Sequence, residues 1–373
     1  MSAISPADRG RVVHRRARAR ATRAGLPARA FGLGLGVALD RVVGDPRRLH
    51  PVAGFGRVAQ ALERRLLDTN RSVAGQHAAG LMFTGLLVGG TATAGLAVDR
   101  LLARSTAGTV AWNAVVVWSC LGGTSLLRIA RRQDELLSSG DADGSRELLP
   151  WLCGRDPAAL DADDLARAVV ESVAENTSDA AVCTLVWAAV AGPTGAVAHR
   201  AANTLDAMVG HRSARYQYFG TASARLDDAL GYLPARLAGL LGIGVAATIG
   251  GSPSGASRAW RSDAHAHPSP NAGVVESVCA GALGVRLGGP TPYPYGVQQR
   301  ALLGDGRQVT AGDIGRAVRL HDRVQLAAAG LMITGLLLAG SAAAGSGPDG
   351  AGPPERRPSA RWAARGRPVR RDG

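Results

Sequence analysis

The chain has 373 residues, enough for one large domain or two modest ones. Its net charge of +14 invites a nucleic-acid reading, but residues 1–29 hold eight Arg against one Asp and residues 346–373 hold seven Arg against three acids, so the excess sits in two arms. No lysine occurs anywhere, which removes P-loop, Schiff-base and Ser–Lys chemistry together.

Residues 1–29 read as a basic, disordered arm, with attraction to anionic lipid headgroups as its functional reading. They do not read as a secretory signal, because the basic region is too long and the apolar stretch 30–39 is broken by Asp40. GDPRRLHP, 44–51, follows. Pro46 and Pro51 each push the preceding residue away from helix, holding Asp45, Arg47, Arg48 and His50 in a defined loop. An ordinary Asp-Pro turn with a basic flank accounts for the same residues. The uncharged runs 72–98 and 105–127 are each long enough to span a bilayer and predict a helical hairpin. Arg64, Arg65 and Arg71 flank it on one side and Arg128, Arg131 and Arg132 on the other, which puts both ends in the cytoplasm.

Residues 128–179 are polar with helical periodicity, and Asp161 is placed to cap a helix. That helix ends in VVESVAENTSDAAV, where Glu171, Glu175 and Asp179 recur every four residues. Like charges at that spacing cost about 0.2–0.5 kcal/mol per pair. A divalent cation reverses the sign, since Mg²⁺ takes one or two carboxylates plus substrate phosphates. A solvated acidic face is the competing reading, and Glu171 is expected to be its outer, solvated member. The run 180–198 is interrupted by Gly192-Pro193, and 237–257 is rich in glycine. Between them, Asn203 and Asp206 project together from a helix, followed by Asp227 and Asp228 amid Arg200, Arg212, Arg215 and Arg225. Carboxylates for a metal and Arg for phosphate oxygens fit this mixture, as does a surface ion-pair network. In HAHPSPNAG, 265–273, two prolines stiffen the presentation of His267, Ser269 and Asn271. The run 324–345 predicts a last span before the basic tail 346–373, which reads as disordered. Cys120, Cys153, Cys183 and Cys279 form no CxxC pair, which argues against zinc or disulfides and for a reducing, cytoplasm-facing location. The expected fold is therefore all-α: a multi-pass integral membrane protein with helical and loop connections on the cytoplasmic side. Its membrane-embedded domain is 30–345.

In this order, GDPRRLHP, GRDPAALDADDLARAVVESVAENTSD, NTLDAMVGHRSARYQYFGTASARLDD and HPSPNAG resemble the CobD/CbiB family of cobalamin biosynthesis proteins. The resemblance runs from about Gly36 to Arg323. It departs from the family pattern at Ala180, Cys183-Thr184, Val274-Val275 and TPYPYG, which bears on the substrate pocket more than the reaction. It implies a multi-pass inner-membrane enzyme whose site faces the cytoplasm. The implied reaction is that of an adenosylcobinamide-phosphate synthase. A propionate carboxylate of adenosylcobyric acid is joined in amide linkage to aminopropanol or its phosphate, driven by ATP with Mg²⁺. The corrinoid, the amino alcohol, membrane lipid and other membrane enzymes of the pathway are the implied partners, and nucleic acid is not one.

The motif residues carried over are Asp45, His50, Glu175, Asn176, Ser178, Asp179, Asn203, Asp206, Asp227, His267, Ser269 and Asn271. In the mechanistic expectation, Glu175 and Asp179, helped by Asp206, Asp227 or Asp45, hold the metal and nucleotide. Arg212, Arg215 or Arg47 grips phosphate, with Asn176, Ser178 and Asn203 beside the substrates. His267 or His50 deprotonates the amine. The rival readings are a corrinoid or cobalt transporter and a non-catalytic relative. A transporter concentrates polar residues inside its spans, whereas here acids crowd the connections. Topology decides whether one site forms. If 180–198 and 237–257 both span, 200–236 lies apart from the other motifs. A single-face site requires both to be re-entrant or surface helices.

Overall fold

The computed structural model describes residues 6–45, 50–211, 213–293 and 296–345, with the backbone alone for 6–24 and 343–345. Arg47 and Arg212 lie outside the described residues, as does the tail 346–373. The fold is helical throughout, with one small sheet. In chain order the helices are α1 (Pro6–Val43), α2 (Pro51–Leu66), α3 (Val73–Leu102), α4 (Thr106–Leu121), α5 (Gly123–Ser138), α6 (Ala142–Leu148) and α7 (Ala162–Asn176). After them come α8 (Cys183–Leu205), α9 (Thr221–Val245), α10 (Pro253–Asp263), α11 (Ala272–Leu283) and, beyond the sheet, α12 (Ala311–Gly345). Strands β1 (Leu287–Tyr293) and β2 (Gly296–Leu303) pair antiparallel. Helix α1 begins at Pro6, so 6–29 is helical where a disordered arm is expected: the arm is built largely from Ala and Arg, both good helix formers.

The expected hairpin is present as α3 and α4, capped by Ser72 and Ser105, each accepting a backbone N–H three residues on. Helices run close where glycine permits. A Cβ on Gly32 or Gly36 would stand 2.6 Å from side-chain atoms of Asn113 or Val117, so this small-xxx-small pair lets α1 lie against α4. The main core gathers apolar residues of α1, α4, α7, α11 and α12, and a smaller cluster around Phe83 and Phe219 joins α3 to the segment before α9. Leu81, Met82 and Leu86 on α3 and Leu331, Leu337 and Leu338 on α12 stay exposed, the face a bilayer covers. Among the described residues, five helical runs are long and apolar enough to cross a membrane: 73–102, 106–138, 162–210, 221–249 and 311–342. The protein is an all-α, multi-pass integral membrane protein.

The run 162–210 does not cross as one helix. Gly192 has φ 71° and ψ −167°, outside any helix, and Pro193 follows it. Asp179 and Asp206 are electrostatic neighbours, yet a continuous α-helix would separate them by about 40 Å. The chain therefore folds back at Gly192. Arg29 caps the first limb by donating to Ala188 O and Ala189 O at 3.0 and 2.9 Å. Thr194 ties the second limb to Asp99 at 2.6 Å. The first limb continues α7 through the wide turn, so the helix from Ala162 to the apex is long enough to cross a bilayer. Residues 180–198 thus form a helical hairpin whose two feet stand at the same end of the bundle. The run 237–257 is not a single helix either, since it breaks at Gly250 (φ 69°) before α10.

Candidate active site

Both feet of the hairpin are wide, π-type turns, Thr177–Val182 and Asp206–Gly210. Such turns recur at functional sites because one extra residue re-aims the side chains that follow. The first turn is pinned by Thr177, which donates to Val173 O at 2.8 Å and meets His321 Nδ1 of α12 at 2.9 Å. The second depends on Gly210, where a Cβ would overlap Asp206 Oδ1. These turns and the start of α9 bring Glu175, Asp179, Asp206, Asp227 and Asp228 within electrostatic reach of one another. Glu175 is solvent-exposed and the other four are half-buried, so the cluster opens onto a cleft. Asn203 hydrogen-bonds Asp227 and accepts from Arg200 Nη1 at 3.4 Å.

Arg200 leads on to the loop before α2. Trp118 Nε1 donates to Gly44 O at 2.8 Å, and Asp45 N donates to Ser125 Oγ at 3.2 Å, which fixes Gly44 and Asp45 against α4 and α5. Asp45 Oδ1 lies 3.8 Å from His50 Nε2. Burial alone would raise the Asp45 pKa, but neighbouring His50 and Ser125 and the Arg200 charge hold it below the usual carboxylate range. His50 Nδ1 accepts from Val52 N at 3.2 Å, capping α2, which leaves Nε2 as the protonated nitrogen facing Asp45.

A second, buried centre adjoins the first through Glu175. Arg300 of β2 donates to Glu171 Oε2 at 2.7 Å and to Glu276 Oε1 and Oε2 at 2.9 and 3.1 Å. It also meets His267 Nε2 at 2.6 Å. Glu171 further pairs with Arg155 and accepts from Gly288 N at 2.8 Å. A guanidinium only donates, so His267 Nε2 must be the acceptor and its Nδ1–H must point at Ser269 O, 3.1 Å away. Burial first, and then the Arg300 charge, lower the His267 pKa to about 4.

Several expectations change on this geometry. Glu171 is not the solvated end of an acidic row: it is 1% exposed and clamped between two arginines and a backbone N–H. Asp45 stands with His50 and Arg200 and not among the carboxylates of the hairpin feet. His267 and His50 are not free bases, because both imidazoles spend their lone pairs on structural contacts. Arg215 turns outward, its side chain 58% exposed, onto Glu63 of α2 at 3.0 Å. Ser269 and Asn271 fasten their loop to α9: Asn271 Nδ2 donates to Asp228 O at 2.9 Å, and Ser269 Oγ accepts from the N–H groups of Asn271 and Ala272. Asn176 bonds locally to Ser172 O at 2.9 Å, and Ser178 is buried beside Asp179. Among the described residues no three His, Cys, Asp or Glu side chains form a ready-made metal cage. Sequence reasoning passed over Arg155, although it lies in the quoted GRDP segment, and missed Arg300 and Glu276, which stand outside every motif; Arg200 and Asp228 were noted beside Asp227 but not carried into the site.

The CobD/CbiB protein family model matches residues 33–321. A "Cobalamin biosynthesis protein CobD" of Mycobacterium tuberculosis (strain ATCC 25618 / H37Rv) is 51% identical over 305 residues, 82% of this chain and 95% of that protein. The protein of that name from Chromobacterium violaceum is 41% identical over 79% of this chain and 92% of its own length. A "Cobalamin biosynthesis protein CbiB" of Salmonella arizonae is 37% identical over 79% and 93%. No solved structure matches. The motifs that converge on the hairpin feet all lie inside the matched span, and the chain belongs to the CobD/CbiB family.

Proposed function

We propose that the chain serves cobalamin biosynthesis as an ATP-dependent, amide-forming ligase. It joins aminopropanol, as its phosphate, to a propionate carboxylate of adenosylcobyric acid. The observation that carries this reading is the convergence of five acids, Asn203, Arg200 and the Asp45–His50 pair from four separate segments at one end of the bundle. That end is proposed to face the cytoplasm, where ATP is available.

Mg²⁺ fits the site in two respects. Asp227 Oδ1 and Arg200 Nε are buried without a partner among the described residues, and the crowded carboxylates need a counter-charge. One or two of Glu175, Asp179, Asp206 and Asp227 would hold the ion together with the nucleotide, and it would supply neutralisation of phosphate charge. The protein's own groups do the positioning. Arg200 grips an oxyanion, Asn203 orients Asp227, and the Arg300 centre holds α7 so that Glu175 faces the cleft. In the reaction the terminal phosphoryl group of ATP passes to a propionate oxygen and ADP leaves. The amine nitrogen then attacks the acyl carbon, the C–O bond to phosphate breaks, and inorganic phosphate departs as the amide forms. With both histidines occupied, a carboxylate accepts the amine's proton, and Asp45 beside Arg200 is the assigned group. The corrinoid and surrounding lipid are the expected partners, with other membrane enzymes of the pathway as neighbours.

The test is product formation by purified protein in lipid nanodiscs, followed by mass spectrometry. Wild type is expected to yield one ADP and one phosphate per amide, and Asp179→Ala to yield none. Full turnover by Asp179→Ala removes the carboxylate cluster from the mechanism, and corrinoid uptake into vesicles without product favours a transporter.

A further inference from the structure

Beside the carboxylate cluster, a cavity of about 100 Å³ opens between α2, α3, α4 and the second limb of α8. Val52, Phe55, Thr91, Cys120 and Val197 form its walls, and Arg200 is the charged residue among its described lining. Arg200 makes no salt bridge among the described residues, and its Nε is buried without a partner. Asp45 Oδ1 is likewise buried without a hydrogen-bond partner. The two charges are close but not joined. A Cβ on Gly122 would stand 3.7 Å from Asp45 Oδ2 and 4.0 Å from Arg200 Nη2. Gly122 adopts φ 63° between α4 and α5, and its missing side chain leaves the gap open.

A cation on the lining of an apolar cavity, with an anion close by across Gly122, complements a short zwitterion: an oxyanion at one end, an ammonium at the other, and a few carbons between. The volume is far too small for a corrin ring or an adenine nucleotide, whose sites run to several hundred Å³. Resting on the ligase reading above, we propose that this cavity takes the phosphorylated amino alcohol. Arg200 binds its phosphate through charge-assisted hydrogen bonds. Asp45, oriented by His50, receives the ammonium, and Val52, Phe55 and Val197 cover the carbon chain. Arg200 is then the residue that distinguishes the phosphorylated amine from the free one.

The experiment compares wild type, Arg200→Gln and Arg200→Lys in nanodiscs, by calorimetric binding of aminopropanol phosphate without ATP and by KM for each substrate. Arg200→Gln is expected to weaken the phosphorylated amine by roughly 10–100-fold, the loss of hydrogen bonds to a charged group. KM for unphosphorylated aminopropanol and for the corrinoid should stay within about twofold, and Arg200→Lys should recover part of the loss. Inorganic phosphate should compete in wild type and not in Arg200→Gln. Equal effects on both amines, or an unchanged preference in a folded Arg200→Lys and Arg200→Gln pair, overturn the assignment. So does Arg200-dependent inhibition in phosphatidylglycerol nanodiscs, which would give the cavity to a lipid headgroup. Wild type that binds the phosphorylated amine through Arg200 but forms no amide supports the cavity assignment and refutes the ligase reading.

Discussion

Arg300→Met tests the buried charge centre most severely. Arg300 is the hub that Glu171, Glu276 and His267 share, with its side chain 13% exposed and those of Glu171 and Glu276 at 2% and 1%. Removing it leaves Glu171 with Arg155 and Gly288 N, but among the described residues Glu276 then keeps only the neutral His267, whose Nε2 is 3.8 Å away. Removing one partner of a buried pair typically costs about 3–5 kcal/mol, because the remaining charge is uncompensated. Glu276 bears most of that cost. A second change supplies the internal control. Glu276→Leu in the Arg300→Met background removes the stranded carboxylate and replaces the pair by apolar volume, so it should recover all but about 1 kcal/mol. The assay is equilibrium unfolding in mixed micelles, with midpoint and slope read for all four members of the double-mutant cycle. A single-variant cost below about 1 kcal/mol, or a double variant no better than Arg300→Met, refutes the view that this centre is a compensated buried network.

Gly210→Ala places a Cβ against Asp206 Oδ1 and should cut turnover at least about tenfold while unfolding midpoints change little, as steady-state kinetics and melting curves will show. His267 stays neutral in the fold to about pH 4. A depressed folded pKa gives stability that is present above the unfolded value near 6.5 and lost as pH falls, so unfolding should become easier from about pH 6.5 to 4 by roughly 3 kcal/mol. His267→Gln should flatten that slope. His211→Cys, one residue past the second foot, should react with an impermeant maleimide from the cytoplasmic side. Labelling only from the opposite side would break the single-face arrangement.

Much of the site was legible because its chemistry is local in sequence. Asp179, Asp206 and Asp227 stand in compact motifs, and Gly192-Pro193 announces the interruption that becomes the hairpin apex. The wide turns were not legible, since nothing in ENTSD or NTLDAM departs from ordinary helical spacing. The spacing of four that aligned Glu171 with Glu175 and Asp179 fails because the first turn widens at Thr177 and Glu171 is claimed by Arg155 and Arg300. Arg300 lies in VQQRALL, a stretch with no local signal. Its importance comes wholly from the pairing of β1 with β2, and the prolines and glycines of GGPTPYPYG hide that strand pair. Arg200 stood out only as one of several arginines near the acids, because its role depends on Asp45 arriving from a segment more than 150 residues earlier.

In the proposed function the carboxylates at the hairpin feet bind a metal nucleotide. The direct measurement is binding of Mn²⁺–ATP to the protein in nanodiscs, by electron paramagnetic resonance of free manganese. Wild type should bind it saturably, and Asp206→Asn/Asp227→Asn should lose most of that binding while keeping its melting temperature. Equal binding by the folded double variant would contradict the account.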